Sequence, residues 1–441
     1  MIPASAIETA VTKKILWRLI PFLGVAYFMC YIDRANIGVA ALTMNQAIGL
    51  TATTFGLGVG AFFLGYCLFE VPSNLIMQKV GARIWISRIM ITWGLLSAGM
   101  AFVWNDASFV VMRILLGVAE AGFFPGVIFL LTLWVPASHR GKIIGAFMTF
   151  ASMSIVIGPP ISSNLLRLDG IWGLAGWQWM FVIEGLPTVI LGIICLLIVR
   201  DRPSDASWLT AEEKRWLNNT LEAEQAQKEA VFKSSVTKTL FNSRVLALGA
   251  VYFGIVFGTY AISFWLPLVI KSFGGLDNTQ VGYLASIPAL CGTLALIVWS
   301  RHSDKTGERT WHAASAALLG AIGFVLSGLL LSTPHLAMIA LCLASMGCFA
   351  AVSVFWTLPT GFLTGANAAA GIGLITALGN LSGYFGPQII GLIKDGTGSF
   401  SSALMVVGAG PLMAAAIILV LGRNKDISDA AEGRFSLKPA E

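Results

Sequence analysis

The sequence contains little charge for its length. Of its 441 residues, 11% are Asp, Glu, Lys or Arg and 56% are apolar, and the mean hydropathy is +0.80. A soluble globular chain carries about 25% charged residues, and a chain with so few could not cover its own surface with polar groups. The composition therefore excludes a soluble globular protein and predicts an integral membrane protein.

The residue patterns of enzymes and metal centres are also missing. The six cysteines lie in apolar runs without a CxxC pair, and the four histidines fall in loops or at span ends. No HExxH or GxSxG pattern occurs, so neither a metal ligand set nor a nucleophile–base pair is indicated. We expect no metal, no cofactor and no catalytic residues. The first apolar run continues through Asp33 without a cleavage site, which argues against a cleavable signal peptide.

Long apolar runs define the fold class. A membrane-crossing helix needs about 20 mostly apolar residues, and none of the runs alternates as a transmembrane β-strand does. Twelve runs occur, at 17–41, 53–78, 84–104, 107–135, 143–167, 178–200, 244–270, 278–300, 311–331, 335–358, 367–393 and 400–422. The sequence therefore predicts an all-α membrane protein with twelve transmembrane helices.

Basic residues predict the orientation, because they prefer the cytoplasmic side of a membrane. With the N-terminus in the cytoplasm, 23 of the 28 Lys and Arg residues fall in cytoplasmic segments and three fall in outer loops. The other two, Arg34 and Arg113, lie inside spans. Both termini are therefore expected in the cytoplasm, and the net charge of +6 needs no nucleic-acid partner.

Internal repetition predicts the architecture. The segment from Gly145, GAFMTFASMSIVIGPPI, matches the segment from Gly373, GLITALGNLSGYFGPQI, at an offset of 228 residues. The loop from Asn74 matches the loop from Ser300 at an offset of 226. We expect two six-helix bundles related by pseudo-two-fold symmetry. Alternating-access transporters are built this way, with substrate held at the interface of the repeats.

A polar stretch of about 43 residues divides the spans six and six. Its Thr210 and Glu213 form a capping-box pattern, which predicts a short amphipathic helix at the membrane surface. The predicted domains are an N-terminal bundle at 1–200, a cytoplasmic linker at 201–243, and a C-terminal bundle with a cytoplasmic tail at 244–441.

Several segments together resemble the anion:cation symporter family of the major facilitator superfamily. They are YIDRANIGVA, FEVPSNL, RILLGVAEAGFFPG, FVIEGLPTV and FWLPLVIKS, in spans one, two, four, six and seven. The resemblance covers essentially the whole chain. It implies a bacterial inner-membrane transporter that is a monomer in the lipid bilayer.

The superfamily's cytoplasmic loop motif, Gly-x-x-x-Asp-Arg-x-Gly-Arg-Arg, occurs twice. The second copy follows it at Asp304, Lys305, Gly307, Glu308 and Arg309. The first copy keeps Lys79, Gly81 and Arg83, but Gln78 stands where the acid belongs and Ala82 replaces a basic residue. The resemblance implies a gating role for these loops, and the degraded first copy puts a charge-pair latch in the N-terminal half in doubt.

Ionisable residues inside spans are costly, so each is a functional candidate. The six are Asp33, Arg34, Glu70, Arg113, Glu120 and Glu184. Arg113 and Glu120 are two helical turns apart and share one face, and with Asp33 and Arg34 we expect one network of two acids and two bases. A purely structural network is the alternative. For Glu70 and Glu184 we favour a structural role, in which each carboxylate bonds backbone freed by a nearby proline.

The planar fork of Arg34 suits a substrate carboxylate, and burial disposes an acid to hold a proton. The resemblance supports Asp33 and Glu120 as proton-coupling residues and Arg34 as an anion contact. Further substrate-binding candidates are Arg113, Tyr31, Tyr66, Asn380, Ser382, Trp356 and Thr357. Asn380 is the strongest of the neutral candidates, because it is a mid-span amide near the Gly386–Pro387 break and the family's galactonate-type members place an asparagine there.

The sequence thus predicts an importer of a small organic anion driven by proton symport. Polyhydroxy acids such as tartrate or a sugar acid are favoured over aromatic acids. A sodium-coupled carrier and an exporter are the alternatives among transporters, and a membrane-embedded enzyme or a receptor are alternatives of another class.

Overall fold

A computed structural model describes residues 4–231, 242–362 and 365–422. Every regular element in these ranges is an α-helix or a short 3₁₀ turn. The α-helices are α1 (Ala4–Ile48), α2 (Ala52–Val80), α3 (Ala82–Gly99), α4 (Asp106–Glu120), α5 (Phe123–Trp134), α6 (Ala137–Leu165), α7 (Gly176–Ile198), α8 (Ala211–Val231), α9 (Ser243–Lys271), α10 (Asn278–Thr306), α11 (Thr310–Leu329), α12 (Pro334–Phe355), α13 (Thr357–Phe362), α14 (Gly365–Thr397) and α15 (Phe400–Gly422).

The predicted all-α membrane class is confirmed. Eleven segments of the described chain are helical, long enough and apolar enough to cross a bilayer. The twelfth predicted span, 367–393, coincides with α14. For residues 365–369, at the start of this helix, the structure describes the backbone only.

The fourth span is broken, where the sequence predicted one continuous helix. Gly122 has a φ of +89°, a left-handed conformation that favours glycine, and it separates α4 from α5. The hydroxyl of Ser73 donates to the carbonyl of Ala121 at 2.7 Å, which satisfies an acceptor beside the break. The break directly follows Glu120, so it fixes the end of the helix that carries this acid.

The chain divides into two compact units. Unit 1 comprises the described residues of Met1–Ile37 and Leu64–Phe232, and unit 2 comprises those of Gly38–Phe63 and Lys233–Glu441. The tip of the α1–α2 hairpin, Gly38–Phe63, is hereafter called the hairpin tip and belongs to unit 2.

Corresponding helices pack through glycine in both units. In unit 1 the third and sixth spans meet where Gly94 and Gly185 face each other's backbones. In unit 2 the ninth and twelfth spans meet where Gly328 faces the backbone of Ser401, whose hydroxyl donates to the Gly328 carbonyl at 2.7 Å. Small residues allow such close approach in lipid. The internal sequence repeat therefore corresponds to a repeated packing pattern.

The central helix α8 packs on unit 1. The predicted capping box forms, because the Thr210 N–H donates to Glu213 at 2.9 Å and the Glu213 N–H donates to the Thr210 hydroxyl at 3.3 Å. Lys14 donates to both Glu213 oxygens, at 2.8 and 2.7 Å. Burial alone would raise the pKa of Glu213, but the bonds from Lys14 and Thr210 hold it below its ordinary value. The Lys14 pair thus joins α8 to α1. Its position at a membrane surface stays a prediction.

Candidate functional site

An ion pair inside unit 1 joins the first span to the fourth. Arg34 on α1 donates from Nε to Oε1 of Glu120 at 2.6 Å, and Nη2 contacts the same oxygen at 2.5 Å. The side chain of Glu120 is 1% exposed, whereas that of Arg34 is 20% exposed. The arginine is therefore the accessible partner of a pair whose acid is buried.

The second oxygen of Glu120 is available for another contact. Oε2 is buried and has no hydrogen-bond partner, because both Arg34 nitrogens converge on Oε1. The thiol of Cys30 also reaches Oε1, at 3.2 Å. Oε2 of Glu120 can therefore accept a proton or one further hydrogen-bond donor.

Two tyrosine rings lie against the guanidinium of Arg34. Its guanidinium carbon lies 5.0 Å from the ring centre of Tyr66 and 5.7 Å from that of Tyr31. Tyr31 in turn packs edge-on against Tyr27, at 5.0 Å between ring centres. These contacts hold a cation over π faces and bring together three predicted site residues: Arg34, Tyr31 and Tyr66.

Arg113 lies on the buried face of α4, as its spacing from Glu120 predicts. Both side chains are 1% exposed. Arg113 is within electrostatic range of Glu120, Arg34 and Asp33. It therefore adds a second positive charge to the interior that contains the Arg34–Glu120 pair.

Asp33 faces a different helix from its neighbour Arg34. Its Oδ1 accepts from Ser97 on α3 at 2.8 Å. Its buried Oδ2 lies near the indole N–H of Trp93, a hydrogen-bond donor on the same helix as Ser97. Consecutive helical residues point about 100° apart, so the adjacent acid and base serve separate environments. Asp33 makes no ion pair with any described residue.

Sequence analysis missed a polar link beneath Asp33. The amide of Asn36 donates to Glu184 on α7 at 2.8 Å and lies 3.5 Å from Oδ1 of Asp33. Glu184 also accepts from Ser162 on α6, at 2.7 Å. Asp33 and Asn36 are three residues apart, so the sequence alone places both on one helix face. Glu184 bonds to side chains here, where the sequence suggested proline-freed backbone.

Glu70 is half-buried on α2 and makes no hydrogen bond to a described residue. It lies one helical turn beyond Tyr66 and is within electrostatic range of Arg34. Its bond to proline-freed backbone is therefore not seen in the described part of the chain.

The neutral candidates form two local groups in unit 2. Asn380 receives a long hydrogen bond from the Tyr260 hydroxyl, at 3.5 Å, and the ring of Trp356 lies 4.9 Å from that of Tyr252. The hydroxyls of Ser382 and Thr357 both donate to carbonyls of their own helical turns, at 2.6 and 2.7 Å. Asn380 thus keeps more capacity for a ligand than the Ser382 hydroxyl.

The first copy of the loop motif obtains its acid from elsewhere in the chain. Gly81 has a φ of +97°, and the backbone N–H of Arg83 donates to Asp201 at 2.8 Å. The Arg83 side chain donates to the carbonyl of Leu196 at 2.8 Å. Asp201 therefore caps α3 where Gln78 cannot. The local sequence pattern does not predict this contact, since Asp201 follows the sixth span.

In the second copy of the motif, a basic and an acidic residue of the same loop pair with each other. Arg309 donates to Asp304 at 2.6 Å and to Ser303 at 3.0 Å. Gly307, with a φ of +73°, ends α10. Glu308 accepts from the backbone N–H of His312 at 3.1 Å, which begins α11. Lys79 and Lys305 make no ion pair with the described residues.

The hairpin tip packs tightly on α14 within unit 2. A Cβ at Gly56 or Gly60 would collide with the carbonyl oxygens of Pro387 and Tyr384. Asp395, at the end of α14, accepts from the backbone N–H groups of Ala52 and Thr53, at 3.2 and 2.7 Å. Its carboxylate therefore caps the N-terminus of α2. Burial alone would raise the pKa of Asp395, but the bonds from Thr53 lower it below its ordinary value.

The chemistry of unit 1 is suited to ion exchange. An arginine that is accessible on one side can trade a protein carboxylate for a ligand carboxylate, and the displaced acid can take a proton. Within the described residues, no group of three or more His, Cys, Asp or Glu side chains is arranged to hold a metal ion.

Comparison with known proteins identifies the family. A model described as Major Facilitator Superfamily matches residues 23–387. A protein of Agrobacterium vitis, provisionally named a tartrate transporter, is 49% identical over 418 residues, which are 95% of this chain and 92% of that protein. A quinolone resistance transporter of Acinetobacter baumannii is 44% identical over 397 residues, which are 90% of this chain and 91% of that protein.

The fold is also similar to solved structures. The xylose transporter XylE from E. coli, in a partially occluded inward open conformation, gives a TM-score of 0.72 at 15% identity, with 92% of this chain and 98% of that chain covered. The chain therefore belongs to the Major Facilitator Superfamily, and it is a membrane transporter and not an enzyme.

Proposed function

We propose that this transporter imports a small organic carboxylate by proton symport. The observation that carries the proposal is the Arg34–Glu120 pair, in which an accessible arginine is held by a buried acid through one oxygen. A carboxylate that binds Arg34 would compete with Glu120 for the same donors. Glu120 would then be a buried carboxylate without its cation. Because such a charge is costly, Glu120 would bind a proton.

The coupling step is an exchange of partners. When the substrate carboxylate takes the Arg34 fork, Glu120 loses its strongest donors and binds a proton at one of its oxygens. When the substrate leaves, Glu120 returns to Arg34 and releases the proton. Asp33 is the second proposed proton-coupling acid, because it is buried without an ion pair among the described residues. Arg113 balances the charge of these acids.

The neutral contacts are proposed to come from hydroxyl, amide and aromatic side chains. Tyr31 and Tyr66 flank Arg34, and Asn380 and Trp356 are candidates in unit 2. The amide and hydroxyl groups suit a polyhydroxy acid, and the aromatic rings suit a sugar-acid face. Two proteins named for tartrate transport are 49% identical to this chain, which supports a tartrate-like substrate.

Alternating access is proposed to involve the hairpin tip. Its glycines lie against the backbone of α14, and Asp395 caps α2 across this contact. Such a close helix-to-helix contact can seal one side of a transporter and must separate for that side to open. We further propose cytoplasmic termini, a monomer in the bacterial inner membrane, and two six-helix domains joined by the segment that contains α8.

Thermal stability measures the substrate class directly. A ligand that binds the folded state raises the apparent melting temperature. We expect L-tartrate or a sugar acid to stabilise the purified protein and aromatic acids to stabilise it less. Stabilisation only by amines or neutral sugars would contradict an anion transporter.

Export is the second candidate function, since a relative at 44% identity is named a quinolone resistance transporter. Cells that express this chain distinguish the two. Import predicts proton-dependent accumulation of a labelled organic acid, whereas export predicts reduced accumulation of a fluoroquinolone and no gain of organic acid.

A further inference from the structure

A polar chain crosses the interior of unit 1 beneath Asp33. It runs from Ser97 through Asp33, Asn36 and Glu184 to Ser162, and it links helices α3, α1, α7 and α6. Asp33 and Glu184 are each 2% exposed and Asn36 is 1% exposed. The Arg34–Glu120 exchange proposed above does not use Asn36, Glu184 or Ser162.

Neither Asp33 nor Glu184, the two acids of this hydrogen-bonded series, has an ion-pair partner among the described residues. The interior of unit 1 holds three buried acids, Asp33, Glu120 and Glu184, and two arginines, Arg34 and Arg113. Arg34 pairs with Glu120, and Arg113 is within electrostatic range of Asp33 and Glu120. Ionisation of all three acids would leave one negative charge without compensation. A buried carboxylate in that position binds a proton instead.

Asn36 is chemically matched to one charged and one protonated acid. Its amide nitrogen donates to a carboxylate, as it does to Glu184. Its Oδ1 is buried and has no hydrogen-bond partner. A protonated carboxyl supplies the missing O–H donor, whereas two carboxylates supply none. The orphaned Oδ1 of Asn36 is therefore satisfied best when one of the two acids carries a proton.

We propose that Asp33 and Glu184 form a carboxyl pair that binds one transported proton between them, with Asn36 as the bridge. The inference rests on the proposed proton symport and adds Glu184 to it as a proton-binding residue. The step makes one O–H bond on either acid and breaks one when the proton leaves. Groups that face the pair are Glu120, Arg113 and Cys30. Trp93 contributes an indole N–H, and Ser97 and Ser162 contribute only hydroxyls.

The pair would alter how the transporter handles a dianion. With only Asp33 and Glu120, the interior has two proton sites and two fixed positive charges. Glu184 adds a third acid, so one proton is retained in the interior without a substrate. A dicarboxylate such as tartrate could then displace Glu120 while the Asp33–Glu184 pair limits the build-up of negative charge.

The test uses Glu184→Gln, which keeps the shape and the bond from Asn36 but removes the acid. The control is Ser154→Ala on the same helix as Ser162, where the lost hydroxyl donates only to the backbone of Phe28 at 2.9 Å. Proteoliposomes report the external pH that gives half-maximal accumulation of labelled L-tartrate. Infrared pH titration of the purified protein reports protonated carboxyl groups and needs no substrate.

In Glu184→Gln, we expect half-maximal accumulation to need an external pH lower by about one unit, because a neighbouring acid no longer shares the proton. The infrared band of protonated carboxyl at neutral pH should also weaken, and Ser154→Ala should match wild type. If Glu184→Gln does not fold, Glu184→Asp keeps the acid and should retain the band with a changed pH profile.

Two outcomes separate this inference from the proposed function. If wild type accumulates L-tartrate with protons and Glu184→Gln has an unchanged pH profile and infrared band, the carboxyl pair is wrong and proton symport stands. If wild type shows no proton-driven accumulation, proton symport fails, and the infrared titration alone decides whether the pair holds a proton. An infrared response to sodium in place of pH would assign the pair to a metal cation and overturn the inference.

Discussion

The two halves of the chain repeat one packing pattern around different interiors. Both pack their third and sixth spans through glycine against backbone. The N-terminal spans contain Asp33, Arg34, Glu70, Arg113, Glu120 and Glu184, whereas the spans after residue 243 have Asp, Glu, Lys and Arg only near their ends. Helix packing therefore does not need the buried charges. Their restriction to one half indicates a role in binding or coupling.

The largest effect is expected from neutralising the acids of the N-terminal half. Glu120→Gln and Asp33→Asn should each abolish accumulation driven by a pH gradient, because a neutral amide cannot carry the proton. At least one of the variants should still exchange substrate between equal pools, since exchange needs no net proton movement. Counterflow and gradient-driven uptake in the same proteoliposomes measure both quantities.

The matched control is Glu224→Gln, which removes an acid that pairs with Arg140 on α6 at 3.3 Å. It should retain accumulation. Proton-driven concentration of substrate by both Glu120→Gln and Asp33→Asn would show that these acids are not the coupling residues. The restriction of buried charge to the N-terminal half would then be unrelated to proton coupling.

A large but partial effect is expected for Arg34→Lys. An ammonium keeps the charge but cannot make the planar two-nitrogen contact with a carboxylate. Charged hydrogen bonds contribute about 1.5–3 kcal/mol, so affinity should fall about 10- to 100-fold. Substrate titration by thermal shift or calorimetry measures it. Arg140→Lys serves as the control, and near wild-type affinity of Arg34→Lys would remove Arg34 from the site.

The order of these effects depends on contacts that the sequence predicted only in part. Span positions, the all-α membrane class, the α8 capping box and the burial of Arg113 beside Glu120 follow from hydropathy, capping pattern and helical period. Asp33 bonds to Ser97 while Arg34 pairs with Glu120, and Arg113 is within electrostatic range of all three charged groups, so a single network of four charges stays a prediction. Residues that are adjacent in the sequence point to different faces of a helix.

Other contacts were outside the reach of a single sequence. Asn36 is uncharged and gives no signal in a search for buried ions, although it joins two acids. Asp201 replaces the missing acid of the first loop motif from more than 100 residues away. The helix break at Gly122 depends on the Ser73 hydroxyl of another span. Each depends on tertiary neighbours that local patterns do not encode.

A smaller effect is expected in the neutral half. Asn380→Ala should weaken substrate binding by about three- to tenfold, because a neutral hydrogen bond contributes about 1 kcal/mol. The proton requirement should not change. Ser327→Ala is the control, since its buried hydroxyl bonds only to its own helix at 2.8 Å. A change in the proton requirement of Asn380→Ala would show that coupling extends to the C-terminal half.

The smallest effect is expected at the hairpin tip. Asp395→Ala removes the cap of α2 and should cost at most about 1 kcal/mol, because the carboxylate is exposed. Its lowered pKa means that the cap is complete above the ordinary aspartate value of about 3.9 and is lost as pH falls through the lowered value. Melting curves of wild type and Asp395→Ala should therefore differ at neutral pH and converge in strong acid. A constant difference would contradict an ionised cap.

Proton-coupled anion uptake by the charged half is the central claim, and one measurement tests it most directly. Purified wild-type protein in sodium-free proteoliposomes is given labelled L-tartrate under an inward pH gradient, with and without a protonophore, beside Glu120→Gln. The account predicts accumulation in wild type that the protonophore collapses and that Glu120→Gln lacks. Accumulation that survives the protonophore, or that Glu120→Gln retains, would contradict it.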